Sequence, residues 1–417
     1  MTELERQNKN KNIAASMKET MLRRQNQICR VYTVKVDKSR LTKQQKEQFK
    51  MLFIEGKWIW NNLVAYYNDN KTVNGFNLNQ MMKVKLQDGT FEDKNLEYIG
   101  SQMKQSILKQ FNANVKTCNR LVKQKKQKHY TFKFKNEIKS IDLKQYGTTY
   151  SFYGNGKMKM QNIKGSFKVN GTKQFKNIKG LEFANAKILN TPKGYYIAIT
   201  TYIDRNKIQN INYNDKRIGI DFGSQTSFTT SEGEKINVFV QESGRIKKLS
   251  RKMHRRVKGS KGRAKVRHLL KIEYQKLSNK KNDLSNKIVS KFSKNNLVVM
   301  QDEQIDKWKI KHGKKVQHSV LGRVKSKLKT KANVVMINKY YPTTKLCTKC
   351  GNYHDKMTEK DRTFICPICG HTEDRDIHAA NNMLWLYDNI IGLGRTEVTR
   401  KEIEPLIVSI INGNGQV

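Results

Sequence analysis

The sequence predicts a two-lobed α+β protein, and three observations predict it. Apolar and polar residues alternate in strand fashion over 28–36, and strand-like runs recur from Tyr130 to about Ile203 between Gly and Asn turns, with helical periodicity in between. From Arg217 onward a buried-type strand starts a new domain, and short apolar runs then alternate with helical stretches. Two Cys-x-x-Cys pairs, Cys347/Cys350 and Cys366/Cys369, then fall inside that second half. The expected organisation is a bilobed chain. An N-terminal β-barrel spans 28–213 with a helical insertion at about 41–128, and an α/β domain is built from 217–340 and 371–390. A four-cysteine module at 341–370 is set into the α/β domain, residues 1–27 form a flexible arm or a solvated helix, and 391–417 form a C-terminal tail.

Each element follows from local chemistry. Thr42 with Gln45 three residues on makes a capping box, and Phe49, Leu52, Phe53, Trp58, Trp60, Leu63, Tyr66 and Tyr67 give the helix behind it a broad apolar face. The stretch from about 78 to 125 also reads mostly helical. Tyr130, Phe132 and Phe134 alternate with polar residues, as one face of a strand does, and strands are expected at 149–153 and 195–202. Residues 204–216 read as a linker. In the second lobe strands are expected at 217–222, 297–300 and 334–337, with helices around 322–329 and 377–388 and a very basic helical stretch at about 244–290.

Charge narrows the partners. Lysine and arginine total 83 against 35 acids, a formal net charge of +48 spread through most of the chain. A chain that repels itself so strongly is expected to work against a polyanion, where each neutralised phosphate releases a counterion. No segment approaches the ~20 apolar residues of a membrane span, and residues 1–27 lack the apolar region of a secretory signal. Four of the six cysteines sit in paired knuckles, which suits metal binding in a reducing cytoplasm, and Cys29 and Cys118 are expected as small buried residues. The expected location is the cytoplasm, on the nucleoid when bound to DNA.

Three groups of residues carry chemistry. Cys347, Cys350, Cys366 and Cys369 can present four thiolates to one structural Zn²⁺, with Gly351 and Gly370 where the knuckle turns need permissive backbone. Asp221 ends an apolar strand, Asp302 and Glu303 follow another, and Asp374 and Asp376 open a helix. Singly these acids read as turn residues or caps; together, in a chain poor in acids, they read as a metal site. Arg251, Arg255, Arg256, Lys258, Lys261, Arg263 and Arg267 recur on more than one helical face, as expected of a helix lying on a nucleic-acid backbone.

Four features, in this order along the chain, resemble the TnpB family. TnpB proteins are RNA-guided endonucleases encoded by insertion sequences and relatives of the miniature type V CRISPR effectors. The features are Gly219-Ile220-Asp221-Phe222-Gly223, the basic stretch containing Gly259-Ser260-Lys261, the cysteine module, and Asp374-Arg375-Asp376-x-His378-Ala379-Ala380-x-Asn382. The resemblance covers about 217–388 and implies an RNase H-like (RuvC) nuclease domain, a guide RNA, a DNA target and two catalytic Mg²⁺ ions. It implies that Asp221, an acid of the second strand and Asp376 hold those ions. The family's second acid aligns with Gln301 here; Glu303, two residues on, shares a strand face with it, so Glu303 is the expected ligand and Asp302 points away. His378 stands where the family has Asn and is expected to make a helix-start contact, with a phosphate or metal contact as the alternative. Three rival readings stand beside this one: a nuclease-inactive RNA-guided repressor, a strand-transferring transposase and a small CRISPR effector. The oligomeric state is open between monomer and homodimer.

Overall fold

A computed structural model describes residues 3–86, 88–207, 214–358 and 360–391; the expected C-terminal tail lies outside the described residues. The chain divides into two units, Met1–Gln209 and Asn210–Val417.

The first unit begins with α1 (Glu3–Gln25), the solvated helix of the two expected forms and not a flexible arm. It is solvated along nearly its whole length and tied at its C-terminal end, where Arg23 and Arg24 meet Glu182 at 3.2 and 2.8 Å. β1 (Gln27–Val36) follows, then α2 (Lys43–Asn70). The capping box forms, with Gln45 N donating to Thr42 Oγ1 at 3.1 Å and Thr42 N to Gln45 Oε1 at 3.2 Å. Phe49, Leu52, Ile59, Trp60 and Leu63 are buried along one side of α2. A Cβ at Gly56 would lie 2.4 Å from Ile138 Cδ1, so glycine allows the helix to sit close against that segment.

The expected helix over 78–125 is a hairpin followed by a helix: β2 (Met82–Lys85), β3 (Phe91–Lys94) and α3 (Ser101–Lys123). Met82 and Val84 are buried while Lys83 and Lys85 are exposed, and this period of two outweighs the helical pattern. Between the hairpin and α3, the buried Glu55 of α2 accepts backbone hydrogen bonds from Glu97, Tyr98 and Ile99 at 2.8–3.1 Å. The remaining elements are β4 (Ser140–Leu143), β5 (Tyr150–Tyr153), β6 (Lys157–Met160), β7 (Ser166–Asn170), the short α4 (Lys173–Lys176), β8 (Glu182–Thr191) and β9 (Gly194–Asp204). They pair antiparallel in the order β4-β8-β9-β1-β7-β6-β5. No ladder joins β4 to β5 among the described residues, so the expected barrel is an open seven-stranded sheet. Residues 130–134 are not a strand: Phe132 packs on Phe111 (ring centroids 4.7 Å apart) and Phe134 is exposed. Cys29 is exposed, not buried, because it falls on the outward positions of β1, and Cys118 is half-buried.

The second unit is built on β10 (Asn214–Asp221), β11 (Phe228–Thr230), β12 (Lys235–Ile236), β13 (Asn295–Gln301) and β14 (Val334–Ile337). Their order is β12-β11-β10-β13-β14; the first three are antiparallel neighbours, and β10, β13 and β14 run parallel. Between β12 and β13 lie α5 (Gly244–His254) and α6 (Lys261–Phe292); between β13 and β14 lie α7 (Lys309–His318) and α8 (Leu321–Lys331). The cysteine module contributes β15 (Thr363–Ile365) and β16 (Thr372–Asp374), and α9 (Arg375–Leu386) follows.

The pleat of this sheet sorts its residues. Ile218, Ile220, Phe222, Val298 and Met300 join a core with Ile288, Val289 and Phe292 of α6 and with Val324 and Leu328 of α8. Leu297, Val299 and Ile337 face the other way, onto Met383 and Leu386 of α9. Gly219 shares that second face, where a Cβ would lie 2.1 Å from the Ala380 carbonyl oxygen. Glycine in the Gly219-Ile220-Asp221 run thus lets α9 rest on β10, and the buried Ala379 and Ala380 complete the close approach.

Candidate active site and metal centre

Because α9 lies on the face of Gly219 and Val299, its first turn arrives where β10 and β13 end. Asp221, Gln301, Glu303 and Asp376 line one cleft of about 870 Å³, so carboxylates from three separate segments share it. Burial and then the neighbouring Asp376 and Glu303 carboxylates push the Asp221 carboxyl up to about 7. Burial also raises Glu303, against the pull of Lys325 and Lys339. Crowded, desolvated carboxylates are a donor set that a divalent cation compensates.

The neighbouring acids are otherwise engaged. Asp302 turns out of the cleft to Lys325 and Lys329, at 2.7 and 3.3 Å, and the hydrogen bond from Lys325 holds its carboxyl below the usual range. Asp374 is the N-cap of α9: its Oδ1 accepts from Asp376 N at 3.1 Å and Ile377 N at 3.3 Å, and its Oδ2 accepts from Lys235 at 2.6 Å. That cap aims the first turn, and Asp376 enters the cleft with Arg375 at 3.1 Å from its Oδ1.

Gln301 reaches the cleft but its amide is spent on structure. Its Nε2 donates to the Asn338 and Tyr341 carbonyls at 3.2 and 2.8 Å, and its Oε1 accepts from Thr343 Oγ1 at 3.2 Å. A carboxylate there could make only the last of these bonds. Gln301 therefore fixes the 338–343 segment, and its departure from the family pattern has a structural purpose.

The cleft also collects residues that the sequence did not single out. Lys307, Lys311, Lys339 and Arg362 line it as a cationic rim around the acids, with Trp308 and His312 beside them. The Lys307-Trp308-Lys309-Ile310-Lys311 run directly after the second-strand acids was the available signal.

In the cysteine module the four Sγ atoms lie within 4.8 Å of one another, with Cys347–Cys369 at 3.6 Å and Cys350–Cys366 at 3.5 Å. Tetrahedral Zn²⁺ with Zn–S bonds of about 2.3 Å spaces its sulfurs about 3.8 Å apart, so the four residues fit that ion. Each knuckle closes alike: Gly351 N donates to Cys347 O at 2.8 Å and Gly370 N to Cys366 O at 3.0 Å, both glycines at positive φ. Burial opposes ionisation of Cys366, but amide donors from Cys369 and Ile368, with the Cys350 and Cys369 thiols, outweigh it and lower that thiol, while burial pushes Cys347 and Cys350 up.

The expected nucleic-acid residues lie on a hairpin of two helices, not on one helix. Gly259, at φ +89°, breaks the stretch and Ser260 caps α6 through Arg263 N at 3.1 Å. Arg251, Arg255, Arg256, Lys258, Lys261 and Arg267 are exposed around this turn. Arg263 is half-buried and donates to the Arg256 carbonyl at 2.6 Å, which assigns it to holding the turn. α6 is not basic on every side, since it buries Val266, Leu270, Ile288, Val289 and Phe292.

Residues 321–383 match the family model of the Cas12f1-like TNB domain. A 178-residue stretch is 29% identical to a protein of Streptomyces pristinaespiralis whose name assigns it provisionally as an RNA-guided DNA endonuclease. The match covers 40% of this chain and 44% of that protein, so the chain spans less than half of that relative's length. A solved Cas12f1–sgRNA–target DNA complex aligns over 82% of this chain and 83% of its own, at 13% identity and a TM-score of 0.46. The TNB-domain match and the Streptomyces relative support the TnpB and Cas12f-like resemblance read from the sequence. Among the described residues no helix is long and apolar enough to cross a membrane.

Proposed function

We propose that this chain, related to the TnpB and Cas12f-like proteins, is an RNA-guided DNA endonuclease encoded by a transposable element, with an RNase H-like catalytic unit. The observation that carries the reading is the convergence of Asp221, Glu303 and Asp376 on one cleft with a cationic rim. The strand order, three antiparallel strands followed by two parallel ones, supports the RNase H-like assignment. The name of the Streptomyces relative supports a guide RNA and a DNA target.

Asp221, Glu303 and Asp376 would hold two Mg²⁺ ions, which supply an activated water and charge neutralisation at the leaving oxygen. The chain's own residues do the positioning. Asp374 sets the angle of α9 and with it Asp376, while Gln301 fixes the wall formed by 338–343. Lys307, Lys311, Lys339 and Arg362 draw a phosphodiester backbone toward the acids. The exposed basic hairpin turn adds sequence-independent affinity for nucleic acid, and the cysteine module holds one structural Zn²⁺.

The test is cleavage of DNA matched to the RNA that co-purifies with the full chain. Mg²⁺-dependent breaks at the matched site support the reading. Joined strands would instead indicate a transposase, and guide-dependent binding without breaks a repressor.

A further inference from the structure

Beside the cysteine knuckles lies a second cluster of metal-ligating side chains. His371 and Glu373 come from the strand leaving the second knuckle, and His378 from the second turn of α9. Their donor atoms lie within 4.8 Å of one another. Glu373 Oε2 is 3.6 Å from His371 Nε2 and 3.2 Å from His378 Nδ1. Ligands about 2.0–2.1 Å from a tetrahedral ion stand about 3.4 Å apart, so these spacings are those of atoms sharing one cation.

The hydrogen bonds around the cluster point the same way. His378 is buried, and its Nε2 lies 2.7 Å from the Leu346 carbonyl oxygen. A carbonyl only accepts, so Nε2 carries the proton. Asn382 Nδ2, 3.0 Å from the same nitrogen, uses its two hydrogens on the Thr343 and Leu346 carbonyls at 2.7 Å each. Nδ1 faces a Glu373 carboxylate oxygen at 3.2 Å, an acceptor, so either a second proton or a metal ion belongs between them. The approach of His371 to the same oxygen favours the metal ion. An imidazole that donates one N–H to a backbone carbonyl while the other nitrogen binds a metal is also the usual setting of a histidine ligand. The carboxylate is oriented in the same manner, since Asn381 donates to Glu373 Oε1 at 2.7 Å. Phe364 stacks on the His378 ring at 3.8 Å and packs among Cys347 and Cys366, which shields the cluster from water on that side.

We propose that His371, Glu373 and His378 form a second metal site, for a divalent cation of the zinc class, separate from the four-cysteine site. Its ion would tie the strand leaving the knuckles to α9 two residues beyond Asp376. Three protein donors leave one coordination position open.

The experiment counts zinc in the full chain, expressed with zinc and dialysed against metal-free buffer, alongside His371→Ala and His378→Asn. The wild-type chain is expected to hold about two zinc ions and each variant about one. His371 is a quarter exposed on its side chain, at 26%, so its truncation leaves the helix contacts of His378 in place. Cobalt loading checks which ion is lost: the thiolate-to-cobalt absorption stays in both variants, and only the weaker band of a nitrogen and oxygen site disappears. One zinc in the wild-type chain overturns the proposal and leaves the cluster as His378 hydrogen-bonded to Glu373. Two zinc ions in all three proteins, or loss of the thiolate band in the variants, overturns it as well. None of these readings depends on DNA cleavage.

Discussion

Glu303→Gln and Asp302→Asn are neighbouring, near-isosteric changes with opposite expected outcomes. Glu303 lines the cleft with Asp221 and Asp376, whereas Asp302 is committed to Lys325 and Lys329. Removing the Glu303 charge leaves two carboxylates for two dications. At an effective dielectric of about 20, a unit charge pair about 4 Å apart interacts by about 4 kcal/mol. Lys325 and Lys339 already draw on Glu303, which reduces the net loss. A loss of about 2.7–4 kcal/mol corresponds to about 10²–10³-fold in cleavage rate. Asp302 is half-exposed and its ion pairs are worth at most about 1 kcal/mol of stability, so Asp302→Asn should cut within about twofold of wild type, a small change in barrier height. The assay is single-turnover cleavage of guide-matched DNA with saturating Mg²⁺, with DNA binding measured in parallel. Glu303→Gln should bind and fail to cut. Wild-type cutting by Glu303→Gln, or loss of cutting by Asp302→Asn alone, refutes the assignment.

Gln301→Glu should lower stability by about 1–3 kcal/mol in denaturant unfolding, because the Asn338 and Tyr341 carbonyls lose their donor; a gain in cleavage instead would mean that Gln301 stands in a ligand position. Asp221, with its carboxyl near pH 7, should release a proton when Mg²⁺ binds at neutral pH, seen in calorimetry as a buffer-dependent heat, and Mg²⁺ affinity should fall as pH drops through about 7. The same group makes the metal-free fold less stable as pH rises from about 4 to about 7, since the folded state then binds more protons than the unfolded one, and Asp221→Asn should flatten that slope in thermal unfolding. Replacing Arg255, Arg256 and Lys258 together by Gln should weaken DNA binding across sequences and reduce the salt slope by up to about 2.7 in log–log terms; an unchanged slope would remove this turn from the interface.

The parts that could be read in the sequence were those where a local pattern and the tertiary fold agree. β10, β13 and β14 announce themselves as apolar runs, and a period of two from Gln301 already separates Glu303 from Asp302. The capping box of α2 and the four cysteines are equally local signals. The hairpin of β2 and β3 was hidden because β2 lies against α2, where Asn62 holds the Lys83 backbone, and its burial depends on that helix and not on the local pattern. Phe132 was misleading for the converse reason: its alternation is real, but it packs into an aromatic cluster and not a ladder. The tasks of Gln301 and His378 depend on carbonyls some thirty to forty residues away, Tyr341 and Leu346, and no spacing rule reveals such partners.

The Leu346 carbonyl, held by both His378 and Asn382, joins the first cysteine knuckle to the helix that carries Asp376. If the cysteine module holds zinc and the carboxylates magnesium, as proposed, a chelator such as EDTA would remove both kinds of ion at once. Stripping the thiolate site would loosen that knuckle and let the helix drift, so a chelated sample would stay silent after magnesium alone is returned. Recovery should need zinc first and should be slow, at the pace of local refolding. Magnesium requirement is accordingly best measured by omission from a zinc-replete preparation, never by chelation.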